Sequence, residues 1–331
     1  MREGELVEAL KMRALPESSD DYLTLLEFLR LYRDATQFVI NKLWSLSKVP
    51  SISTLHGMFY NELRKHGFRA HHVKQIYIYA KTVVKACKRN NGRKPVLRRL
   101  TARIDRYDYR LDLENGTLVL KIHGNREVKL RLLTSTDRIE KYKEWSNYEI
   151  AVKIVEDRIY VAVYFKKTVK FRKPRTVMTV DMNFDNVTLA VFAPSGKLLK
   201  LKRYRTPLRR MLTHRIWVER IQRRYSKSWR FIRGIKRAIK RHGERIRSIA
   251  WDYAHKIGDS IAELASRYSS TVVLENLNHL RSRVNGGSSF NKKLSLWFYR
   301  RMQFTISYEV LERGLEARYI DPSRTSSTCP R

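Results

Sequence analysis

Acidic residues are scarce in this chain: 32 Asp and Glu stand against 69 Lys and Arg over 331 residues, a formal net charge of +37. An excess of that size calls for a polyanionic partner, and nucleic acid is the commonest one. The blander readings are a ribosome-like RNA binder and a membrane-surface protein. Cysteine is nearly absent, with only Cys87 and Cys329, which excludes a disulfide framework. No run approaches the ~18 apolar residues of a membrane span. The opening Met1-Arg-Glu-Gly-Glu-Leu lacks the layout of a signal peptide. An intracellular, cytoplasmic protein with no membrane partner is expected. At 43% hydrophobic residues, the chain can build two or three domains with real cores.

The chain falls into stretches of different period. Leu6 to Leu15 reads as a strand closed by Pro16. Ser18-Ser-Asp20 caps a helix bearing Leu25, Leu29, Tyr32, Val39 and Leu43. A second helix is expected from Ser53 to about His66. A third carries Val73, Ile76, Tyr77, Ala80, Val84 and Cys87, with Cys87 as a small core residue. Residues 18–95 are therefore a helical block. After Asn90-Asn-Gly92 the period becomes two: Ile104 to Leu113, a turn at Asn115-Gly116, Leu118 to Ile122, a turn at Gly124-Asn125, then Val128 to Leu133. Glu149 to Val155 and Ile159 to Phe165 form a further hairpin. Residues 96–172 thus predict a small antiparallel barrel or curved sheet, completed by a first strand in 1–17.

From residue 173 a three-stranded meander is expected over 176–182, 186–193 and 197–203. Residues 205–267 turn helical, with Leu208, Leu212, Ile216, Ile221 and Tyr225 in one stripe. Ile246, Ile249, Tyr253, Ile257, Ile261 and Leu264 form another. A strand follows to Glu275, then a loop at 281–290, a helix over about 294–313 ended by Gly314, and a last strand over 315–320.

Two strands end on a carboxylate: Thr176-Val-Met-Thr-Val-Asp181 and Thr271-Val-Val-Leu-Glu275. A charge there is costly unless something uses or neutralises it. Each acid alone fits a turn cap or an arginine partner. As a pair in this topology they match the ribonuclease-H-like arrangement, in which acids on neighbouring strands hold metal ions for phosphodiester cleavage. Asp185, in an Asp-Asn turn, reads as structural.

Between the two acids lies a basic segment. Lys202 to Arg247 holds eighteen Lys and Arg but two Glu, interleaved with Tyr204, Trp217, Tyr225, Trp229 and Phe231. Such a face can neutralise phosphates and stack bases; a solvated helix face is the alternative. Arg209, Arg210, Arg223, Arg224, Lys227, Arg230, Lys236 and Arg237 are its candidate contacts.

Three stretches carry a family resemblance. Val180-Asp181 with Asn186-Val-Thr-Leu is similar to a first nuclease motif, I-D-x-G-x-x-N-L; Asn183 replaces its glycine. Val273-Leu-Glu-Asn-Leu277 resembles the second, V-x-E-x-L. Trp297, Gly314, Asp321-Pro and Thr325-Ser326-x-x-Cys329-Pro330 resemble the approach to a zinc ribbon. Together they resemble the TnpB (OrfB) family of IS200/IS605-type insertion sequences, commonly called transposases, and more distantly the type V CRISPR effectors. The resemblance implies an α+β multidomain protein: a wedge β-barrel with an inserted helical block, then a truncated RNase H-like (RuvC) domain over 173–320, with its basic helical insertion at 202–267. Residues 321–331 would begin an incomplete zinc ribbon.

The resemblance also implies an RNA-guided DNA endonuclease. Asp181 and Glu275 would be its catalytic Mg2+ ligands, and its partners would be a guide RNA from the transposon end and a target DNA. Zn2+ is expected only in a fuller version, since Cys329 is one of four needed ligands. The family's third catalytic Asp is expected past Arg331, and Asp321 does not substitute for it. The competing expectation is a cleavage-deficient RNA-guided, or simple DNA or RNA, binder. A structural RNA-binding protein acting through charge alone is a third.

Overall fold

The computed structural model describes residues 3–278 and 286–321. The chain forms two compact units, residues 7–167 and residues 1–6 with 168–331.

The first unit is built on a seven-stranded sheet. Its elements are β1 (Glu3–Pro16), helices α1 (Ser19–Trp44), α2 (Ile52–Arg64) and α3 (Ala70–Arg89), then β2 (Leu100–Asp105), β3 (Tyr109–Asp112), β4 (Thr117–Lys121), β5 (Glu127–Leu133), a short α4 (Thr136–Glu140), β6 (Ser146–Val155) and β7 (Arg158–Lys170). The strand order is β2-β6-β7-β1-β5-β4-β3. The N-terminal strand therefore sits mid-sheet, and the three helices are an insertion between it and β2. Ser18 caps α1 as its sequence requires, accepting from the Asp21 N–H at 3.0 Å. The apolar stripes of α1 and α3 are buried, except that Cys87 is half-buried.

The alternating run 104–113 is two strands rather than one. A 3₁₀ turn at Arg106–Asp108 breaks it, with Asp105 accepting from the Tyr107 N–H at 3.3 Å. The two halves lie at opposite ends of the sheet. Three residues reach only ~10 Å, so this short turn forces the sheet to curl until its edges nearly meet. Tyr109 Oη clasps that corner, donating to Asn147 Oδ1 at 2.8 Å. The expected antiparallel curve is thus present, as an open, strongly curled sheet.

A polar network fixes the helices to this corner. Arg69 Nε lies 2.6 Å from Asp108 Oδ1, and His72 Nε2 is 3.4 Å from Asp108 Oδ2; Asp108 and His72 are fully buried. Burial pushes the His72 imidazole down to about 4, outweighing the attraction of Asp108, while Arg69, His123 and His71 push the same way as burial. The unfolded chain takes up that proton near pH 6.5 and the folded one only near 4. Stability is therefore complete above about 6.5 and falls as pH drops through this interval, by roughly 3 kcal/mol in all. In urea titrations at pH 7.5 and 4.5, His72→Phe should show a smaller acid loss than the wild type. An equal loss would remove His72 as its source.

The second unit carries β8 (Thr176–Met182), β9 (Asn186–Phe192), β10 (Leu198–Arg205), α5 (Leu208–Tyr225), a 3₁₀ turn (Ser226–Arg230), α6 (Arg233–Tyr268), β11 (Ser270–Glu275), α7 (Ser288–Leu296), α8 (Tyr299–Glu312) and β12 (Ala317–Ile320). Its sheet order is β10-β9-β8-β11-β12. The meander β8–β10 is antiparallel, whereas β11 runs parallel to both β8 and β12. Met178, Val180, Leu189, Val272 and Leu274 face a core shared with Ile257, Ile261, Met302 and Ile306 of α6 and α8.

Two expectations are corrected here. The helix expected over 294–313 is two, broken at Trp297 and Phe298. Trp297 leaves helical geometry (ψ 112°) and packs its indole on Phe184 at 4.8 Å and Tyr299 at 4.9 Å. The α5 stripe also differs: Leu208, Met211 and Val218 are buried, while Ile216 and Tyr225 are exposed.

Helices α6 and α8 meet closely at Gly258. A Cβ added there would lie 3.2 Å from both Thr305 Cβ and its carbonyl carbon. Thr305 cannot easily retreat, because its hydroxyl donates to the Ala254 carbonyl at 2.9 Å. Gly258→Val should destabilise this unit by about 1–3 kcal/mol. A thermal melt with an unchanged midpoint would contradict that.

Candidate functional site

Asp181 and Glu275 are placed by strand register. Parallel pairing of β8 with β11 runs from Thr176–Ser270 to Val180–Leu274. The next step in the same register is Asp181–Glu275. Met178, Val180, Met182, Val272 and Leu274 fill the core face, so alternation turns both acids to the opposite, less buried face. Neighbouring strands are about 4.8 Å apart. Two carboxylates thus stand side by side at the C-terminal ends of parallel strands, where open α/β sheets bind ligands.

Asp181 is exposed and does not serve an arginine. Among the described residues it makes no ion pair, and its one side-chain hydrogen bond comes from Asn183 Nδ2 at 2.7 Å. Asn183 occupies the place where the related motif has glycine. The turn behind it is pinned by Thr206, whose N–H donates to the Asp185 carbonyl at 2.8 Å and whose hydroxyl donates to the Phe184 carbonyl at 2.6 Å. Asp185 accepts from Asn186 Nδ2 at 2.6 Å, in keeping with a turn role.

Glu275 is held from behind by a residue the sequence did not single out. Gln303 is buried on α8, and its Nε2 donates to the Glu275 carbonyl at 2.6 Å. Its signal was a glutamine beside Met302, Ile306 and Val310 on an apolar helix face. Buried amides need partners, and this one fixes the end of β11.

Hard carboxylate oxygens on rigid neighbouring strands suit Mg2+, which takes one or two carboxylates and completes its shell with water and phosphate oxygens. The donor set therefore fits that ion. Among the described residues there is no cluster of three or more His, Cys, Asp or Glu side chains able to hold a metal. Cys329 lies outside the described residues.

The basic segment forms an antiparallel pair of helices, α5 and the first turns of α6, joined by the 3₁₀ turn. Arg209, Arg210, Arg223, Arg224, Arg230, Lys236 and Arg237 are all exposed. Among the described residues none of these seven makes an ion pair. The Lys227 side chain lies outside the described residues. Aromatic rings back several of the cations: Arg210 lies 5.9 Å from the Tyr253 ring, Arg224 5.9 Å from Tyr225, and Arg230 5.4 Å from Trp229. Phe231 is 85% exposed at the tip. Unpaired cations with accessible rings are what phosphate neutralisation and base stacking require.

No family model matches the chain. Its fold is similar to that of a chain in the Cas12f1–sgRNA–target DNA complex, with a TM-score of 0.67 over 98% of this chain and 91% of that one, at 12% identity. In sequence the chain is similar to TnpB-like proteins. It is 27% identical over 206 residues to a TnpB-like protein of Methanocaldococcus jannaschii, covering 61% of this chain and 73% of that protein. It is also 27% identical over 183 residues to a TnpB-like protein of Aquifex aeolicus, covering 51% of this chain and 60% of the relative. No helix among the described residues is long and apolar enough to cross a membrane.

Proposed function

We propose that the chain is a transposon-associated, RNA-guided DNA nuclease of the TnpB type. The observation that carries this is the equal register of Asp181 and Glu275 on adjacent parallel strands, facing away from the core. In this reading the second unit is a RuvC-type domain, and the curled sheet with its helices is a wedge and recognition block that holds guide RNA from the transposon end. Asp181 and Glu275 would bind Mg2+, which supplies Lewis acidity at the phosphodiester and a nucleophilic water when bound. Gln303 fixes the strand end that carries Glu275, and the Thr206 bonds fix the turn that follows Asp181. The exposed arginines of α5 and α6 hold phosphates of the guide or target. Sequence reading is left to base pairing.

A second reading, a guide-directed binder that does not cut, is favoured by the acid inventory, which among the described residues gives this site two strand-borne carboxylates and no third. The test is reconstitution of the protein with guide RNA and matched DNA in Mg2+. Cutting of the matched DNA supports the nuclease. Tight, guide-dependent binding that leaves the DNA intact favours the binder.

A further inference from the structure

α5, α6 and the broken turn between α7 and α8 line an open cavity of ≈310 Å³. That is at the lower end of the small-ligand range. Arg247, Arg300 and Arg301 line it over an apolar floor that includes Met211, Trp297 and Phe298, and no carboxylate is among its lining residues. Arg247 and Arg300 are exposed and, among the described residues, make no ion pair. The N-terminus of α8 opens onto the same space, since its cap residue Phe298 lines the cavity and provides no side-chain acceptor for the first N–H groups. Its partial positive charge adds to that of the guanidiniums.

An aromatic strip continues from the cavity. Arg301 lies 5.1 Å over the Trp251 ring. Trp251 meets Phe304 edge-on at 6.3 Å, and Phe304 stacks toward Tyr308 at 6.3 Å. Trp251 is 40% exposed and Phe304 59%. Beyond Tyr308 the face turns acidic, with Asp259 and Glu309 both bonded to Arg313. That boundary limits the site to a few nucleotides.

We propose that this cavity binds a nucleoside phosphate, one nucleotide of a single strand. Its phosphate lies between Arg247, Arg300 and the start of α8, and its base rests on the Trp297–Phe298 wall. The next base stacks on Trp251 and Phe304. Phosphate chemistry explains the cations, and exposed rings beside them explain a base better than an acidic peptide. The site uses Arg247 at the end of the basic segment together with Arg300 and Arg301 of α8, and it stands whether or not Asp181 and Glu275 support cutting.

The test uses the full chain in EDTA, so that any cutting is suspended. A six-nucleotide DNA carrying 5-iodouracil and, separately, free 5-iodo-dUMP are irradiated with the protein, and the adducts are mapped. Labelling within 247–251 or 297–304 by the oligonucleotide alone identifies a strand nucleotide; labelling by both probes extends the site to free nucleotides. Arg300→Ala with Trp251→Ala, both at exposed positions, should cut adduct yield at subsaturating probe by roughly tenfold. Arg300→Lys should restore most of the phosphate contribution. No label on these peptides, label insensitive to the double variant, or equal competition by polyglutamate would overturn the proposal.

Discussion

Asp181→Ala, assembled with guide RNA and Mg2+, should cut matched DNA at least about a hundredfold more slowly, because a metal-bound Lewis acid contributes several kcal/mol to phosphodiester cleavage. The assay compares the variant with the unaltered protein under the same conditions. Glu275→Gln should fall by a similar factor. The double variant should be little worse than either single one, since groups that hold one metal site act as a unit. A purely structural Asp181 predicts something else. Its side chain is exposed and bonded only to Asn183 among the described residues, so the melting temperature of Asp181→Ala should hardly move. DNA affinity should hold or rise slightly, because a negative charge near phosphate has gone. Cutting that survives Asp181→Ala sinks the assignment. Loss of cutting together with loss of the fold would leave the carboxylate a structural part.

The carboxylates were legible because strand alternation and the ends of apolar runs are local signals. Val180-Asp181 and Leu274-Glu275 each announce a strand running out into a charge. Their equal register is not local: it depends on β11 pairing parallel with β8 some ninety residues away. Only the topology of a related family could suggest it in advance. The curled sheet was legible for a similar reason and incomplete for another. Alternation continues from Ile104 to Leu113, yet the chain turns a corner at Arg106–Asp108. There a buried Asp108, paired with Arg69 from far along the chain, overrides the period. The break at Trp297 likewise answers to a distant partner, Phe184, on which its indole packs. Gln303 and the arginine cavity were not legible in the sequence because single polar residues in helical stretches carry no period of their own.

Replacing Arg223, Arg224, Lys236 and Arg237 together with glutamine should have the largest effect on binding. All four are exposed on the helix pair and, among the described residues, lack acidic partners. Each phosphate deprived of its protein cation lowers the slope of log K against log salt by about 0.9 on a duplex or 0.7 on a single strand. If all four engage phosphate, the slope for RNA falls by roughly 3, and affinity near 200 mM salt drops on the order of a hundredfold or more. Fold stability should not follow, because the core of this helix pair runs through Leu208, Met211 and Val218 and through Ile249 and Ile257. Titrating labelled guide RNA between about 50 and 400 mM salt separates the outcomes. A reduced slope places the helix pair on the nucleic-acid backbone. An unchanged slope with unchanged affinity makes it the solvated face that its charge alone allows. An unchanged slope with weakened binding points instead to the rings beside those cations, Tyr225 and Trp229, as what the nucleic acid rests on.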